Sequence, residues 1–349
     1  MPQTSQMPIL DGHNDTLLKL GADAGGQARS FFVRGDRGHL DLPRAREGNF
    51  AGGLFAIFAG DVPPDNEDPV VDRVMPSHGP EIGHARQVAI SMMARLFRLE
   101  AESNGQLRIV RKVEQLSTCL EEGVLAAVMH FEGAEAIDPE LDALLVFYEA
   151  GLRSVGIVWS WSNVFGHGVP FRFPSSPDSG PGLTGAGKAL VHGCNDLGIL
   201  VDVSHLNEKG FWDVACITDA PLVATHSGVH ALCPSTRNLT DAQLDAIGET
   251  GGLVGVNFHV GFLRADGQED EETPIQDIVR HIDYIARRIG IEHVAFGSDF
   301  DGAKMPRDLG DVAGFPKLIA ALQAHGYGED ELIKITHENW LRILRQTWK

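Results

Sequence analysis

Histidines and carboxylates follow five short apolar segments of this 349-residue sequence, and both side-chain types can bind divalent metal ions. Each lies at or just after the end of its segment, and the set comprises His13, Asp15, Glu132, His205, His226 and Asp299. One such residue alone means little, because a strand-terminal aspartate commonly caps a helix. Three histidines and three carboxylates, all at or just after the ends of apolar segments, predict a site for two divalent ions, with a carboxylate that bridges them.

These side chains converge only if the apolar segments are parallel strands of one sheet. Eight runs rich in Val, Ile and Phe have the length and continuous apolar character of buried parallel strands. They span residues 7–12, 53–59, 125–130, 154–159, 199–203, 222–225, 252–257 and 293–297. Amphipathic segments with helix-capping signals lie between them, at residues 82–100, 138–150, 184–197, 240–248, 274–289 and 329–345.

The alternation of eight strands with helices predicts the fold class. It is typical of an α/β chain that forms a (β/α)₈ TIM-like barrel, with the metal site at the C-terminal ends of the strands. An open, doubly wound sheet with extra strands is the alternative. No linker divides the chain, so we predict a single domain over residues 1–349. Two long connections, 60–83 and 166–182, follow strands and are therefore expected to cover the C-terminal face.

Composition and charge exclude several classes of partner. The 29 basic and 48 acidic residues give a net charge of −19, which argues against binding to nucleic acid or to an anionic membrane surface. The N-terminus lacks the features of a signal peptide, and no apolar run approaches about 18 residues, so we predict a cytoplasmic protein. The four cysteines form no CxxC pair, which favours reduced thiols.

Six short motifs, in this order, resemble those of the membrane dipeptidase (renal dipeptidase) family, a zinc-dependent branch of the amidohydrolase-like barrels. They are DGHND at 11–15, EG at 132–133, SH at 204–205, HS at 226–227, RN at 237–238 and GSDFDG at 297–302. The resemblance covers nearly the whole chain. It implies a metallo-dipeptidase that hydrolyses small peptides, tolerates a D-residue at the C-terminal position, and forms a homodimer.

The resemblance also implies a distribution of metal ligands. His13 and Asp15 would bind one zinc ion, and His205 and His226 would bind the other. Glu132 would bridge the two ions and so belong to the catalytic set. The residue types themselves also admit manganese, iron or cobalt.

Further residues receive roles from the same resemblance. Asp299 would contact the bridging hydroxide and transfer protons, and Arg237 would bind the substrate carboxylate through its planar guanidinium. The sequence departs from the family where a substrate-contacting histidine follows the fourth strand, because Ser160 stands there, although Asn163 matches. Serine is a weaker hydrogen-bond donor and carries no positive charge. His167 either takes over the histidine's role or is an exposed loop residue.

This departure leaves two other functions open. One is an amidase or lactonase that acts on N-acyl amino acids or cyclic amides with the same metal centre. The other is a metal-binding barrel without catalysis, which the complete ligand set and the presence of Asp299 disfavour.

Overall fold

The computed structural model describes residues 7–21, 29–60 and 77–349. All the described strands are parallel to their neighbours. In chain order they are β1 (Ile9–Asn14), β2 (Phe50–Phe58), β3 (Leu107–Ile109), β4 (Leu125–Glu132), β5 (Leu152–Gly156), β6 (Leu200–Asp202), β7 (Val223–Ser227), β8 (Leu253–Val256) and β9 (Val294–Phe296).

Eight of these strands close into a barrel. The strand β1 pairs with both β2 and β9, β2 pairs with β4, and the strands from β4 to β9 pair in chain order. The predicted (β/α)₈ barrel is therefore confirmed, and the eight predicted strands correspond to β1, β2 and β4 to β9. The remaining strand, β3, pairs with the first residues of β4, whereas β5 pairs with the last ones.

Helices connect the strands on the outside of the barrel. They are α1 (Thr16–Lys19), α2 (Leu42–Glu47), α3 (Ile82–Glu102), α4 (Val113–Glu122), α5 (Asp142–Ala150), α6 (Gly185–Leu197), α7 (Glu208–Ile217), α8 (Asp241–Glu249), α9 (Val260–Leu263), α10 (Gln276–Ile289), α11 (Phe315–His325), α12 (Glu329–Ile333) and α13 (Asn339–Thr347). The predicted hydroxyl caps are present, since Thr184 accepts a hydrogen bond at the start of α6 and Thr240 at the start of α8. None of the described helices is long and apolar enough to cross a membrane.

The C-terminal helix closes the N-terminal end of the barrel. Trp340 of α13 is buried, and its Nε1 donates a hydrogen bond to the carbonyl of Phe296 in β9. A Cβ at position 12 would lie 2.5 Å from Cζ2 of Trp340 and 2.2 Å from the carbonyl oxygen of Thr225. Gly12 is therefore the residue in β1 that lets the tryptophan and β7 approach from both sides.

Of the two long connections that were predicted to cover the C-terminal face, the structure describes one completely and the other only in part. Most of the segment 60–83 lies outside the described residues. The segment 166–182 is described and reaches the C-terminal face, because the ring of Phe171 lies 6.4 Å from that of His205. Phe171 also packs against Phe262, with 5.9 Å between the ring centroids.

Candidate metal centre and active site

The C-terminal ends of five barrel strands carry the predicted ligand residues. His13 lies in β1, Glu132 ends β4, and His226 lies in β7, whereas His205 and Asp299 come three residues after β6 and β9. The last two have positive φ angles, 65° and 64°, which non-glycine residues seldom adopt. Such strained backbone persists where surrounding structure enforces it, often at functional sites.

One carboxylate oxygen is the centre of the cluster. Oε1 of Glu132 lies 3.2 Å from Nε2 of His205 and 3.7 Å from Nε2 of both His13 and His226. The Nε2 atoms of His205 and His226 are 3.0 Å apart. Three imidazole nitrogens, two from strands and one from the segment after β6, therefore face the same glutamate oxygen.

A second group of ligand atoms adjoins the first and shares His13 with it. Asp15 Oδ2 lies 3.4 Å from Nε2 of His13, and ligand atoms of His13, Asp15 and Asp299 all lie within 4.8 Å of one another. The same holds for His13, Glu132 and His226. The structure thus brings all six predicted ligand-type residues to one place at the barrel mouth.

The residues fit a bound metal because some of their polar atoms lack partners. Both ring nitrogens of His13 and Oδ1 of Asp15 are buried without a hydrogen bond in the described part of the chain. Buried polar atoms are nearly always hydrogen-bonded, and leaving one unpaired is costly. A set of imidazole nitrogens and carboxylate oxygens is also the donor set that zinc accepts. Divalent ions would therefore satisfy atoms that the protein alone leaves unsatisfied.

The electrostatics of the cluster also favour an added positive charge. Burial, reinforced by the Asp15 carboxylate, raises the pKa of Glu132 well above its usual range. Burial lowers the pKa values of His205 and His226 well below the ordinary value, so both imidazoles are neutral and can act as ligands. Although burial opposes it, the nearby Glu132 and Asp15 carboxylates raise the pKa of His13 to about 10. Divalent ions would displace the protons that the cluster otherwise retains.

Asp299 accepts a side-chain hydrogen bond at one oxygen, and its other oxygen accepts none from the described part of the chain. Asn257 Nδ2 donates a hydrogen bond of 2.9 Å to Asp299 Oδ2, and the backbone N–H of Asp299 donates to the carbonyl of His13. The preceding Ser298 is fixed by the buried Asp11, whose Oδ1 and Oδ2 accept its N–H and its hydroxyl, both at 2.7 Å. These bonds attach the turn after β9 to the start of the chain, so that Asp299 faces the cluster.

Arg237 is a buried cation beside the cluster, not a surface residue. Its Nη2 donates to the carbonyl of His226 at 2.9 Å and its Nη1 to Oγ of Ser227 at 3.2 Å. The guanidinium lies 5.6 Å from the ring centroid of Phe262, and Nε has no partner in the described chain. Burial lowers the pKa of Arg237 to about 10. A buried cation without a carboxylate hydrogen-bonded to it is suited to binding an anionic ligand.

The chain that places these residues at the barrel mouth matches a known family model. The model describes membrane dipeptidase, peptidase family M19, and covers residues 3–349. The chain belongs to the membrane dipeptidase family. It is therefore a peptide hydrolase of the metallo-dipeptidase class, and the resemblance found in the motifs is confirmed.

The chain is also similar to other proteins over about three quarters of its length or more. A protein encoded in the pqqA 5′ region of Klebsiella pneumoniae is 53% identical over 257 residues, which cover 74% of this chain and 95% of that protein. A metallo peptidase from Rhodobacter sphaeroides, solved with a phosphinate mimic of the dipeptide L-Ala-D-Ala, is 48% identical with a TM-score of 0.94, covering 98% of this chain and 99% of that one. Dipeptidase AC of family M19 is also 48% identical, with a TM-score of 0.92 and 99% of each chain covered.

Ser160, which stands where the resemblance implies a substrate histidine, lies against a metal-ligand candidate. Ser160 is buried, and its Oγ is 2.8 Å from Nδ1 of His205. The rings of Trp159 and Phe171 flank the same histidine, with centroids 5.8 Å and 6.4 Å from it. Ser160 is therefore placed where it can orient His205, and contact with substrate remains a prediction.

The other two predicted substrate residues lie in the loop after β5, and their side chains are hydrogen-bonded to other residues of the protein. Asn163 Nδ2 donates to the carbonyl of Ile157 and to Oε1 of the buried Glu135, while its Oδ1 accepts the N–H of Phe165. Nδ1 of His167 lies 2.8 Å from Oγ of Ser162. Their side chains shape this loop, and their contact with substrate stays a prediction.

Four residues around the cluster were not found from the sequence. Asn257 bonds Asp299, Phe262 packs against Arg237, and Asp202 and Thr225 lie behind His226. The only signal for the last two was their polarity inside the runs VDVSH and VATHS. That signal is weak, because such residues also serve strand pairing.

Gly302 is needed for the two carboxylates to lie as close as they do. A Cβ there would be 2.1 Å from Asp15 Oδ2 and 2.5 Å from Asp299 Oδ1. We expect Gly302→Ala to displace both, and a displacement of about 1 Å can cost about 100-fold in rate. Activity and metal content, measured together, check this. Gly185→Ala is the matched control, because no atom lies within 4 Å of a Cβ there. Wild-type activity in Gly302→Ala would show that the carboxylates do not need this spacing.

Proposed function

We propose that this enzyme hydrolyses dipeptides, including those with a C-terminal D-residue, by means of two zinc ions. The observation that carries the proposal is the convergence of three imidazole Nε2 atoms on Oε1 of Glu132, at 3.2–3.7 Å. The dipeptide mimic bound to the Rhodobacter sphaeroides relative supports the substrate class and the D-residue.

The cluster offers two neighbouring positions for metal ions. His13 and Asp15 would hold one ion, His205 and His226 would hold the other, and Glu132 would bridge them. When bound, the ions supply Lewis-acid polarisation of the scissile carbonyl and lower the pKa of the attacking water. The ligand types do not exclude manganese, iron or cobalt, so zinc is part of the proposal.

Asp299 is the residue that we propose moves the proton. Asn257 occupies Oδ2 of this carboxylate, so Oδ1 is the oxygen left to act as a base. Oδ1 accepts a proton from the attacking water as the C–O bond forms. The same proton then passes to the amine nitrogen as the C–N bond of the peptide breaks, which returns Asp299 to its starting state.

Arg237 determines which bond lies at the metal cluster. Its guanidinium is buried beside His226, so a carboxylate that binds there is held close to the reacting atoms. In a dipeptide, three covalent bonds separate the carbon of the C-terminal carboxylate from the carbonyl carbon of the scissile peptide bond. Binding of that carboxylate fixes the orientation of the peptide, and orientation accounts for a large part of enzymatic rate enhancement. An amidated dipeptide lacks a free carboxylate at this distance.

The test combines metal analysis with a substrate panel. Protein purified without chelator should contain about two metal ions per chain, and chelator should abolish activity that added zinc restores. The panel compares L-Xaa-L-Xaa and L-Xaa-D-Xaa dipeptides with amidated dipeptides and N-acyl amino acids. Cleavage of N-acyl amino acids but not dipeptides would favour the amidase alternative. Failure to bind metal after zinc is supplied would overturn the proposal.

The family resemblance also implied a homodimer, and a cytoplasmic location was predicted from the sequence itself. Both remain predictions, which sedimentation analysis and cell fractionation would check.

A further inference from the structure

A buried carboxylate behind the metal cluster has no part in the proposed reaction. Asp202 ends β6 and is 1% exposed. Its Oδ1 accepts the backbone N–H groups of Ser204 at 2.9 Å and Thr225 at 2.8 Å. Its Oδ2 accepts the hydroxyl of Thr225 at 2.6 Å. Because a carboxylate only accepts hydrogen bonds, the one hydroxyl proton of Thr225 points at Asp202.

The direction of that hydroxyl determines the state of the neighbouring histidine. Oγ1 of Thr225 is 2.9 Å from Nδ1 of His226. Since the threonine proton is already donated to Asp202, Nδ1 of His226 must be the donor in this contact. A neutral imidazole carries only one N–H, so Nε2 of His226 presents a lone pair. This Nε2 faces Glu132 and His205 in the cluster.

We propose that Asp202 and Thr225 are positioning residues that hold His226 in the tautomer whose Nε2 binds metal. The inference rests on the proposed function, in which His226 is a ligand. Metal-bound histidines generally donate their second ring N–H to a partner, and loss of that partner typically weakens metal binding by about 10–100-fold. Here a hydroxyl stands between the imidazole and the carboxylate and transmits the direction of hydrogen bonding from one to the other.

The serine beside the other histidine is not constrained in this way. Ser160 Oγ lies 2.8 Å from Nδ1 of His205. Among the hydrogen bonds of the described chain, no carboxylate accepts the hydroxyl of Ser160. That hydroxyl can therefore donate or accept, and it does not select one tautomer of His205. The tautomer control is thus specific to His226.

The variant Asp202→Asn would reverse the chain of hydrogen bonds. The N–H groups of Ser204 and Thr225 both point at the Oδ1 position, so the asparagine oxygen must occupy it. The asparagine NH₂ then replaces Oδ2 and donates to the hydroxyl of Thr225. The hydroxyl must in turn donate to Nδ1 of His226, which places the imidazole N–H on Nε2, where the metal should bind. The variant is nearly isosteric, yet it selects the wrong tautomer.

Threonine variants separate tautomer control from packing. Thr225→Val removes the hydroxyl and leaves the tautomer unselected, whereas Thr225→Ser retains the hydroxyl. The matched control is Thr336→Val, because Thr336 is also buried and its Oγ1 lies 3.0 Å from Nδ1 of the next residue, His337, away from the cluster. Thr336→Val removes the same groups without affecting a predicted ligand.

The experiment measures zinc affinity by competition with a chromophoric chelator, and the ¹⁵N spectrum of His226 in the metal-free protein. We expect Asp202→Asn to weaken binding of one ion by about 100-fold and Thr225→Val by about tenfold. Thr225→Ser and Thr336→Val should retain wild-type affinity. The spectrum should show His226 protonated on Nδ1 in the wild type and on Nε2 in Asp202→Asn.

Several results would overturn the inference. Wild-type affinity in folded Asp202→Asn would do so, as would an Nε2–H tautomer of His226 in the wild type. If Asp202→Asn does not fold, equal affinities of Thr225→Val and Thr336→Val would decide against it. A wild-type protein that binds no zinc would instead refute the proposed function, and the ¹⁵N spectrum would still test the tautomer.

Discussion

Asp299→Asn is expected to lower kcat by about 10²–10⁴-fold, the range that a general acid–base group contributes, while both metal ions stay bound. Asn257 donates to Oδ2 of Asp299, so the oxygen of the new asparagine should take that position. Its NH₂ group then replaces Oδ1 and faces the reacting atoms, where it cannot accept a proton. Steady-state kinetics and metal analysis on the same preparation check this.

Asp301→Asn is the matched control for this prediction. Asp301 lies in the same turn and also has a positive φ angle, 69°, but its carboxylate binds Arg29 and the N–H of His39. Its substitution should affect stability more than kcat. An unchanged kcat in Asp299→Asn would remove this residue from proton transfer, and loss of metal would make it primarily a ligand.

Arg237→Ala is expected to lower kcat/KM for free-acid dipeptides by about 100-fold, because hydrogen bonds to charged groups contribute about 1.5–3 kcal/mol. Amidated dipeptides, which lack the carboxylate, should lose less than about threefold. The same buried guanidinium donates to the carbonyl of His226 and to Ser227, so the substitution could also disturb the cluster. The ratio of the two losses isolates recognition of the carboxylate, since a structural effect would act on both substrates.

Arg237→Lys tests the shape of the cation. Lysine retains the charge but cannot pair with both carboxylate oxygens in the planar geometry of arginine. We therefore expect partial recovery for free-acid dipeptides relative to Arg237→Ala. Equal losses for amidated and free-acid substrates in Arg237→Ala would rule out the carboxylate as the group that Arg237 binds.

The barrel could be predicted because burial on both faces makes each strand a continuous apolar run. The boundaries were less accurate for the same reason. Residues 154–159 were predicted as one strand, whereas β5 ends at Gly156, because Ile157 and Val158 are buried in the connection that follows. The three-residue β3 was not predicted, since a segment of that length has no measurable periodicity. Similarly, the predicted helix 329–345 contains a π-helical turn, Lys334–Glu338.

The ligand-type residues of the candidate site could be predicted from the sequence. The residues that hydrogen-bond to them and orient them could not. A strand end is visible in the sequence, so His13, Glu132 and His226 could be assigned to one barrel mouth. The contact of Thr225 with Asp202 depends on how β6 lies beside β7, and that register is a tertiary property. The burial of Arg237 could not be predicted either. An arginine flanked by polar residues has the same local sequence pattern whether it is buried or exposed.

The closure of the barrel by β1, β9 and Trp340 determines when the enzyme can become active during its synthesis. Asp11 bonds Ser298 across 287 positions of the chain, and Trp340, which lies close to Gly12, comes later in the sequence than Ser298. Contacts so distant in sequence form late and slow folding. The strand β1 must therefore lack its neighbour on one edge until the residues of β9 have left the ribosome. Because the candidate metal centre combines residues 13 and 299, it cannot assemble before residue 299 has been synthesised.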